Sequence, residues 1–449
     1  MRGVAFLILF LSSLPLIIVS PFYGVLTWYV FSLGNFHTLT WGVLEHLYYA
    51  YVIAILTCFS WLISSTEEKR LPLTPLVVLT LLFSAWMTLT SFFALAPPVD
   101  VWDRWTAVQK VLFMCLVGYA LTTNRERVNQ LVWVVVLAMG FWGVKGAISV
   151  ILHGGTNQGI HGPEAGIASA NNEFGIALIM ILPLLFYQWE LATNRHLRRA
   201  LMVMGFLISI SIIFTYSRGA LVGLVAMGAV FWLRSRAKVA TGALILVLGL
   251  SVYYFVPQHW FDRMATIETY EKDSSAMSRI DYWKISLRIA EQHPIFGGGF
   301  KVTYWPEITN AMLVGTNLPR LKAGRAAHSI WFEVLSEQGW IGLGFFVAIA
   351  LYSWYNCQWL IRQSRDRAEL VWANLLGRMG QSVLVGFWTA ASFGSMAYFD
   401  EYWCIIFIFD AARRIVAKEV AAPFGALRAA PTRGAPWIGG AGIATREIR

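Results

Sequence analysis

Three groups of side chains in this 449-residue chain have the types that acid–base or phosphate chemistry requires. His328 opens an apolar stretch, Ser329-Ile330-Trp331-Phe332-Glu333. An imidazole with the ordinary pKa of about 6.5 accepts a proton around neutral pH and suits a general base acting on a hydroxyl nucleophile. A histidine at a helix start is equally well a structural residue, and no catalytic triad accompanies this one in sequence. Just before it, Arg320, Lys322 and Arg325 form a cluster without acids. Guanidinium forks match phosphate oxygens at two points, so the cluster suits a phosphorylated substrate; its other reading is a solvated surface. Arg218 stands in Thr215-Tyr216-Ser217-Arg218-Gly219, between two apolar runs with almost no loop. It is either a side chain snorkelling beside lipid phosphate or a phosphate clamp.

The remaining polar features are weaker. Glu333 and Glu337 lie one helical turn apart, and Asp400 with Glu401 opens the last apolar run. No outward loop holds an Asp-x-Asp pair and no cluster has metal-ligand spacing, so neither a metal nor another cofactor is expected. Gly297-Gly298-Gly299 lacks the lysine and hydroxyl residue of a phosphate loop and reads as a turn. The polar segment from His161 to Glu173 either lines an acceptor groove or caps a helix through Asn171.

These residues must be positioned by helices in lipid. The chain is 57% hydrophobic and 13% charged, more apolar surface than a soluble globule of this size can cover. A spanning helix needs roughly 20 mostly apolar residues. Runs of this kind predict twelve spans, near 4–20, 45–64, 72–94, 106–122, 129–151, 172–188, 199–216, 219–233, 239–256, 329–354, 369–391 and 401–416. The first resembles a signal peptide in length but lacks a cleavage pattern and is expected to be a retained helix. Pro21 to Leu33 is ambiguous: crossing, re-entrant or interfacial. With twelve spans both termini lie inside; a thirteenth would put the N-terminus outside.

The formal charge of +10 arises mostly from short basic connections, around Lys69–Arg70, Arg125–Arg127, Arg195–Arg199, Arg234–Lys238, Arg362–Arg367 and Arg413–Lys418. Two spans separate each from the next, which is positive-inside sorting and not a nucleic-acid footprint. The expected partners are membrane lipids, with no nucleic acid. Cys58, Cys115, Cys357 and Cys404 all fall in apolar runs, so disulfides are not expected.

The expected fold is therefore an all-α polytopic membrane protein with about 12 transmembrane helices. It divides into N-terminal helices (1–256), a large, partly helical outward loop (257–327), C-terminal helices (328–418) and a disordered cytoplasmic tail (419–449). The loop holds nine basic residues against seven acids. Within it, Ser274 or Ser275 caps a helix from Ala276 to Gln292 with Ile280, Trp283, Leu287 and Ala290 on one face, ended by Pro294 and the three glycines.

Three motifs together resemble the O-antigen ligase family. They are Tyr216-Ser217-Arg218-Gly219 at an outward turn, Arg279-Ile280-Asp281-Tyr282-Trp283 with Pro294 and Gly297-Gly298-Gly299 in the loop, and His328-Ser329 followed by Glu337-Gln338-Gly339. The segment Leu71-Pro72-Leu73-Thr74-Pro75 is similar to ligases found beside exosortase systems. The resemblance implies a metal-independent inverting glycosyltransferase of the GT-C type in the bacterial inner membrane, with its site facing the periplasm. Its donor would be a glycan on undecaprenyl pyrophosphate and its acceptor the lipid A-core oligosaccharide. His328 would be the base, with Arg218 and Arg279 on the pyrophosphate; position alone adds Arg320, Lys322 and Arg325 as phosphate contacts. An O-antigen polymerase and a protein O-glycosylation ligase are close alternatives. A lipid-linked glycan transporter is the alternative of another class, disfavoured by the few ionisable residues in mid-span.

Overall fold

The structure, a computed structural model, describes residues 2–40, 42–45, 47–153, 159–164, 166–234, 238–239, 242, 274–316, 320 and 323–421. Among these the regular structure is helical, without strands. The long helices are α1 (Arg2–Val19), α2 (Pro21–Gly34), α3 (Tyr49–Ile63), α4 (Pro75–Phe92), α5 (Pro98–Leu121), α6 (Arg125–His153), α7 (Asn171–Leu191), α8 (Arg195–Phe214) and α9 (Arg218–Arg234). The long loop contributes α10 (Ser274–Gln292) and α11 (Pro306–Met312), followed by α12 (Ile330–Gln363), α13 (Val371–Ala391) and α14 (Asp400–Ala421). Eleven of the twelve expected spans coincide with helices; the one at 239–256, the start of the loop and almost all of the 419–449 tail lie outside the described residues. Among the described residues α4, α6, α7, α8 and α12 are long and apolar enough to cross a membrane.

Local signals explain the boundaries. Thr74 caps α4 by accepting from the Val77 N–H, with Pro75 in the first turn, and Asn194 caps α8 through the His196 N–H. α5 starts eight residues before the apolar run at 106 that announced it. Pro98 is preset for a first turn and Asp100 complements the helix dipole there, so the helix forms through a polar stretch that hydropathy excludes. Arg104 rides on this extension.

The bundle has two distinct ends. At one, Arg127 pairs with Glu67 and Arg414 donates to the carbonyls of Tyr119 (3.0 Å) and Thr122, gathering the basic connections as expected. α2 begins at this end, where Phe22 lies 4.7 Å beneath the Arg127 guanidinium. It finishes at the other, where Ser32 donates to Asp400 (3.0 Å) and Trp142 to the Gly34 carbonyl (2.6 Å). The ambiguous segment thus runs from end to end between α1, α3 and α6. α1 must then run in the opposite sense, and Arg2 lies at the end away from the basic connections. This is the arrangement expected where Pro21 to Leu33 adds a thirteenth crossing. The aromatic run at 21–33 is too short for a hydropathy criterion, but neighbouring helices bury its Trp28, Tyr29 and Phe31.

α13 is the central helix, packed on α7, α9 and α12, while α12 also contacts α4 and α14. α12 is broken at Gly339, whose φ of 69° and ψ of −173° are open essentially to glycine alone. The break frees backbone carbonyls, which cannot be left bare in an apolar bundle. The Gly297–Gly299 turn supplies the partners: Gly298 N–H donates to Ser336 O (2.7 Å) and Gly299 N–H to Glu337 O (3.0 Å). Trp340 N–H returns to Pro294 O (3.0 Å), and the Trp86 indole takes Gln338 O (3.0 Å). The three glycines are indeed a turn, and its role is to plug the broken helix.

Two outcomes follow. A Cβ at Gly339 would fall 2.2 Å from Ile295 O, so Gly339→Ala should destabilise the protein by about 1–3 kcal/mol and loosen the loop, read as a lower thermal midpoint and faster proteolysis between α10 and α12. Impermeant thiol reagents should label Arg2→Cys and Lys418→Cys from opposite faces of sealed membranes; labelling from the same face would refute the path described for α2.

Candidate active site

His328 lies between the loop and α12 in a left-handed conformation, φ 48°, unusual for a residue other than glycine. Its N–H donates to Ser395 Oγ at 2.8 Å, and the Trp331 indole donates to Ser392 Oγ at 2.8 Å. The segment 392–395, where α13 hands over to α14, therefore holds the histidine backbone in place. α10 secures the other side. Trp283 donates to Ala327 O (3.0 Å) and stacks on Phe332, with centroids 5.5 Å apart at 11°, while Tyr282 donates to Ala323 O (2.7 Å). The buried face of α10 differs from the expected one: Tyr282, Ile285, Ile289 and Ala290 are buried, and Leu287 is 38% exposed. The loop and α12 approach the helix from two directions, so the stripe is wider than a single packing face predicts.

The Arg218 turn leans on the same segment. Tyr216, at φ 54°, lets α8 reverse into α9 without a loop, and Ser217 Oγ caps the Ala220 N–H at 3.1 Å. A Cβ on Gly219 would lie 3.0 Å from Phe393 Cβ, and Trp283 approaches Phe393 from α10 at 6.2 Å. Asn171 is not the expected helix cap. It sits inside the first turn of α7, and its amide donates to Thr215 O at 2.9 Å, clasping the turn to α7.

The charges around His328 are uneven. Burial first, then the positive charges of Arg279 and Arg325, lower its pKa to about 4. Its Nδ1 is buried and has no hydrogen-bond partner among the described residues. The ring is thus neutral near pH 7. Arg279 also acts on Glu173, and Glu173 in turn on Glu333 and on Tyr304. Glu333 and Glu337 point inward as acceptors for two loop amides: Ala397 N–H at 3.1 Å and Lys301 N–H at 2.9 Å.

Of the residues singled out in sequence, His328, Arg279 and Arg325 come together, and the turn carrying Arg218 abuts the segment that holds His328. Arg320 is exposed, and Lys322 lies outside the described residues. Asp400 faces elsewhere: it lines a cavity of about 730 Å³ with Trp28, Phe31 and Lys110, which contains none of these residues. Sequence reasoning missed Arg104, which acts on Glu333, Glu337 and Tyr304 and whose Cζ lies 5.5 Å over the Tyr398 ring. An arginine between Trp102 and Trp105 just before an apolar run was the available signal. Among the described residues no three His, Cys, Asp or Glu side chains gather as metal ligands.

Residues 203–347 match the family model described as O-antigen ligase, a stretch that contains Arg218, Arg279, Arg325, His328, Glu333 and Glu337. This match, over about a third of the chain, is to an O-antigen ligase-like family. A second model, described as a family of unknown function, matches residues 1–193, where Arg104 and Glu173 lie. No curated protein matches the chain. The family match supports a function of the O-antigen ligase or polymerase type, a glycosyltransferase-like activity on lipid-linked glycan in a membrane-embedded protein. The site draws on both matched segments and, through Ser392 and Ser395, on residues beyond them.

Replacing Trp283 by Ala removes the stack on Phe332 and the bond to Ala327 O, at about 3 kcal/mol for a large aromatic truncation. Hydrogen exchange should then accelerate selectively in α10 and 323–328, with α13 and α14 unchanged.

Proposed function

We propose that the protein is a metal-independent, inverting O-antigen ligase that transfers a glycan from undecaprenyl pyrophosphate to the lipid A-core oligosaccharide. In this reading it is a GT-C-type bundle of the bacterial inner membrane with its site facing the periplasm. Adding α2 to the twelve expected spans makes thirteen crossings, an odd number in keeping with termini at opposite ends. The observation that carries the reading is the His328 ring, neutral and poised at the loop–bundle junction beside Arg279 and Arg325.

His328 takes the proton from the acceptor hydroxyl as that oxygen attacks the anomeric carbon, and the carbon–oxygen bond to pyrophosphate breaks on the opposite face, inverting the centre. The leaving group needs its growing charge compensated more than it needs a proton, and permanently charged guanidinium groups of Arg218 and Arg279 do this. Arg325 is a further phosphate contact. Arg320 and Lys322 complete the basic segment that draws the donor in, as longer-range charges.

The same arginines tune the base. After burial, the charges of Arg279 and Arg325 contribute to holding the imidazole at about 4. A bound pyrophosphate offsets these two charges and raises the imidazole in part, while the larger effect of burial remains. His328 must be neutral to act, so activity falls as pH drops through its pKa. The acid limb of kcat/KM, which reports the free enzyme, should lie near pH 4, and that of kcat at higher pH. The reverse order would contradict the tuning.

Purified protein given lipid-linked glycan and lipid A core should form the new linkage in the presence of chelator. His328→Ala should lose about 100-fold or more in kcat, and Arg279→Ala should mainly weaken use of the donor. Loss of activity on chelation would refute the metal-free reaction. Polymer growth on lipid-linked glycan would indicate a polymerase, and transfer to a polypeptide a protein O-glycosylation ligase of the kind found beside exosortase systems. Donor movement across liposomes without any linkage formed would indicate a transporter.

A further inference from the structure

The polar groups near His328 fall into two sets of different chemistry. Arg279 and Arg325, which act on the ring, form a purely cationic set suited to phosphate. Around Glu333 lies a mixed set: Arg104 from the start of α5, Glu173 from the first turn of α7, and Tyr304 from the loop. Glu173 joins the two sets, because Arg279 acts on it.

The mixed set has hydrogen-bonding capacity that the protein does not use. Among the described residues Arg104 forms no hydrogen bond or ion pair, and its guanidinium rests over the Tyr398 ring. The carboxylates facing it are already engaged. Glu333 accepts from Ala397 N–H and Glu337 from Lys301 N–H, while Glu337 Oε2 is buried without a partner. Tyr304 is 48% exposed. Burial first, then the charges of Glu333 and Glu337, push its phenol up to about 12, so it stays protonated and both donates and accepts. Its backbone abuts the segment leading to His328: a Cβ on Gly324 would fall 1.8 Å from Tyr304 O. A guanidinium fork, a carboxylate and a phenol, with an accessible aromatic ring, match a ligand rich in hydroxyl groups. They match a second phosphate poorly, since one guanidinium among carboxyl groups offers less than the purely cationic set.

We propose that Arg104, Glu173 and Tyr304 form the acceptor-sugar subsite, hydrogen-bonding the sugar that presents its nucleophilic hydroxyl to His328. The assignment rests on the glycosyl-transfer reading. The cationic set acts on the imidazole directly and Glu173 links it to the mixed set, so in this assignment donor and acceptor are held by different side chains. A pocket built to bond hydroxyls discriminates strongly against an analogue lacking one, which gives the mixed set control of acceptor choice.

The test uses full-length protein in detergent, with Arg104→Gln, Glu173→Gln and Tyr304→Phe variants checked for an unchanged thermal midpoint. Two affinities are measured: for the core oligosaccharide acceptor without donor, and for a sugar-free polyprenyl pyrophosphate. Acceptor affinity should fall about tenfold in the Arg104 variant, with smaller losses in the other two, and affinity for the pyrophosphate should be unchanged. A matching rise in acceptor KM with donor KM constant is expected in turnover. Unchanged acceptor affinity in all three variants overturns the proposal, as does a loss of pyrophosphate affinity in the Arg104 variant, which would assign that residue to the donor. If the wild-type protein formed no linkage, the functional reading would fail, and the binding measurements would still decide the subsite.

Discussion

Backbone carbonyls freed inside an apolar bundle must find donors, and this one constraint ties the loop to the membrane helices. At Gly339 the helix following His328 opens, and the Gly297–Gly299 turn fills the opening with its own amides. An outward segment that could otherwise swing freely is thereby docked on the bundle. The break and the turn specify each other sterically too, since a side chain at Gly297 or Gly339 would collide with the opposite backbone. From this anchor α10 is laid against the start of α12, and Trp283 is brought onto Ala327 and Phe332 beside the catalytic candidate.

The docked loop explains how charge is tolerated at the site. Glu333 and Glu337 are buried on the membrane helix, where isolated carboxylates would be expensive. Each accepts a backbone amide from a segment that the anchor holds in place, and Arg104 faces both. The acids therefore have a structural task, joining the loop and the 392–399 segment to one helix. The proposed assignment of Arg104, Glu173 and Tyr304 to the acceptor sugar rests on this division of tasks.

Much of this was legible from residues alone, and for physical reasons. Apolar runs report helices in lipid directly, so eleven of the twelve expected spans coincide with helices, and the helix inside the loop ends where its proline and glycines indicate, its start bordering residues outside the described ones. Basic connections report sidedness, and they gather at one end as charge sorting requires. The exceptions are instructive. Pro21 to Gly34 is short and interrupted by polar residues, yet it runs end to end because neighbouring helices bury it. α5 extends through Asp100, Asp103 and Arg104 because a proline start and a favourable dipole outweigh low hydropathy, and that extension carries the arginine that was overlooked.

The sequence by itself determined the solvent, the helical class, the sidedness of the connections and the short motifs containing Arg218, Arg279 and His328, because each of these depends on composition or on residues close in the chain. Only the tertiary structure decided which polar residues share a site, since that depends on side chains from α5, α7, the loop, α12 and the 392–395 turn meeting in space. It brought Arg279 and Arg325 to His328, left Arg320 on the surface, and added Arg104, Glu173 and Tyr304. The buried groups of α12 impose that selection: unsatisfied carbonyls and carboxylates admit few partners, and those partners set the geometry around the histidine.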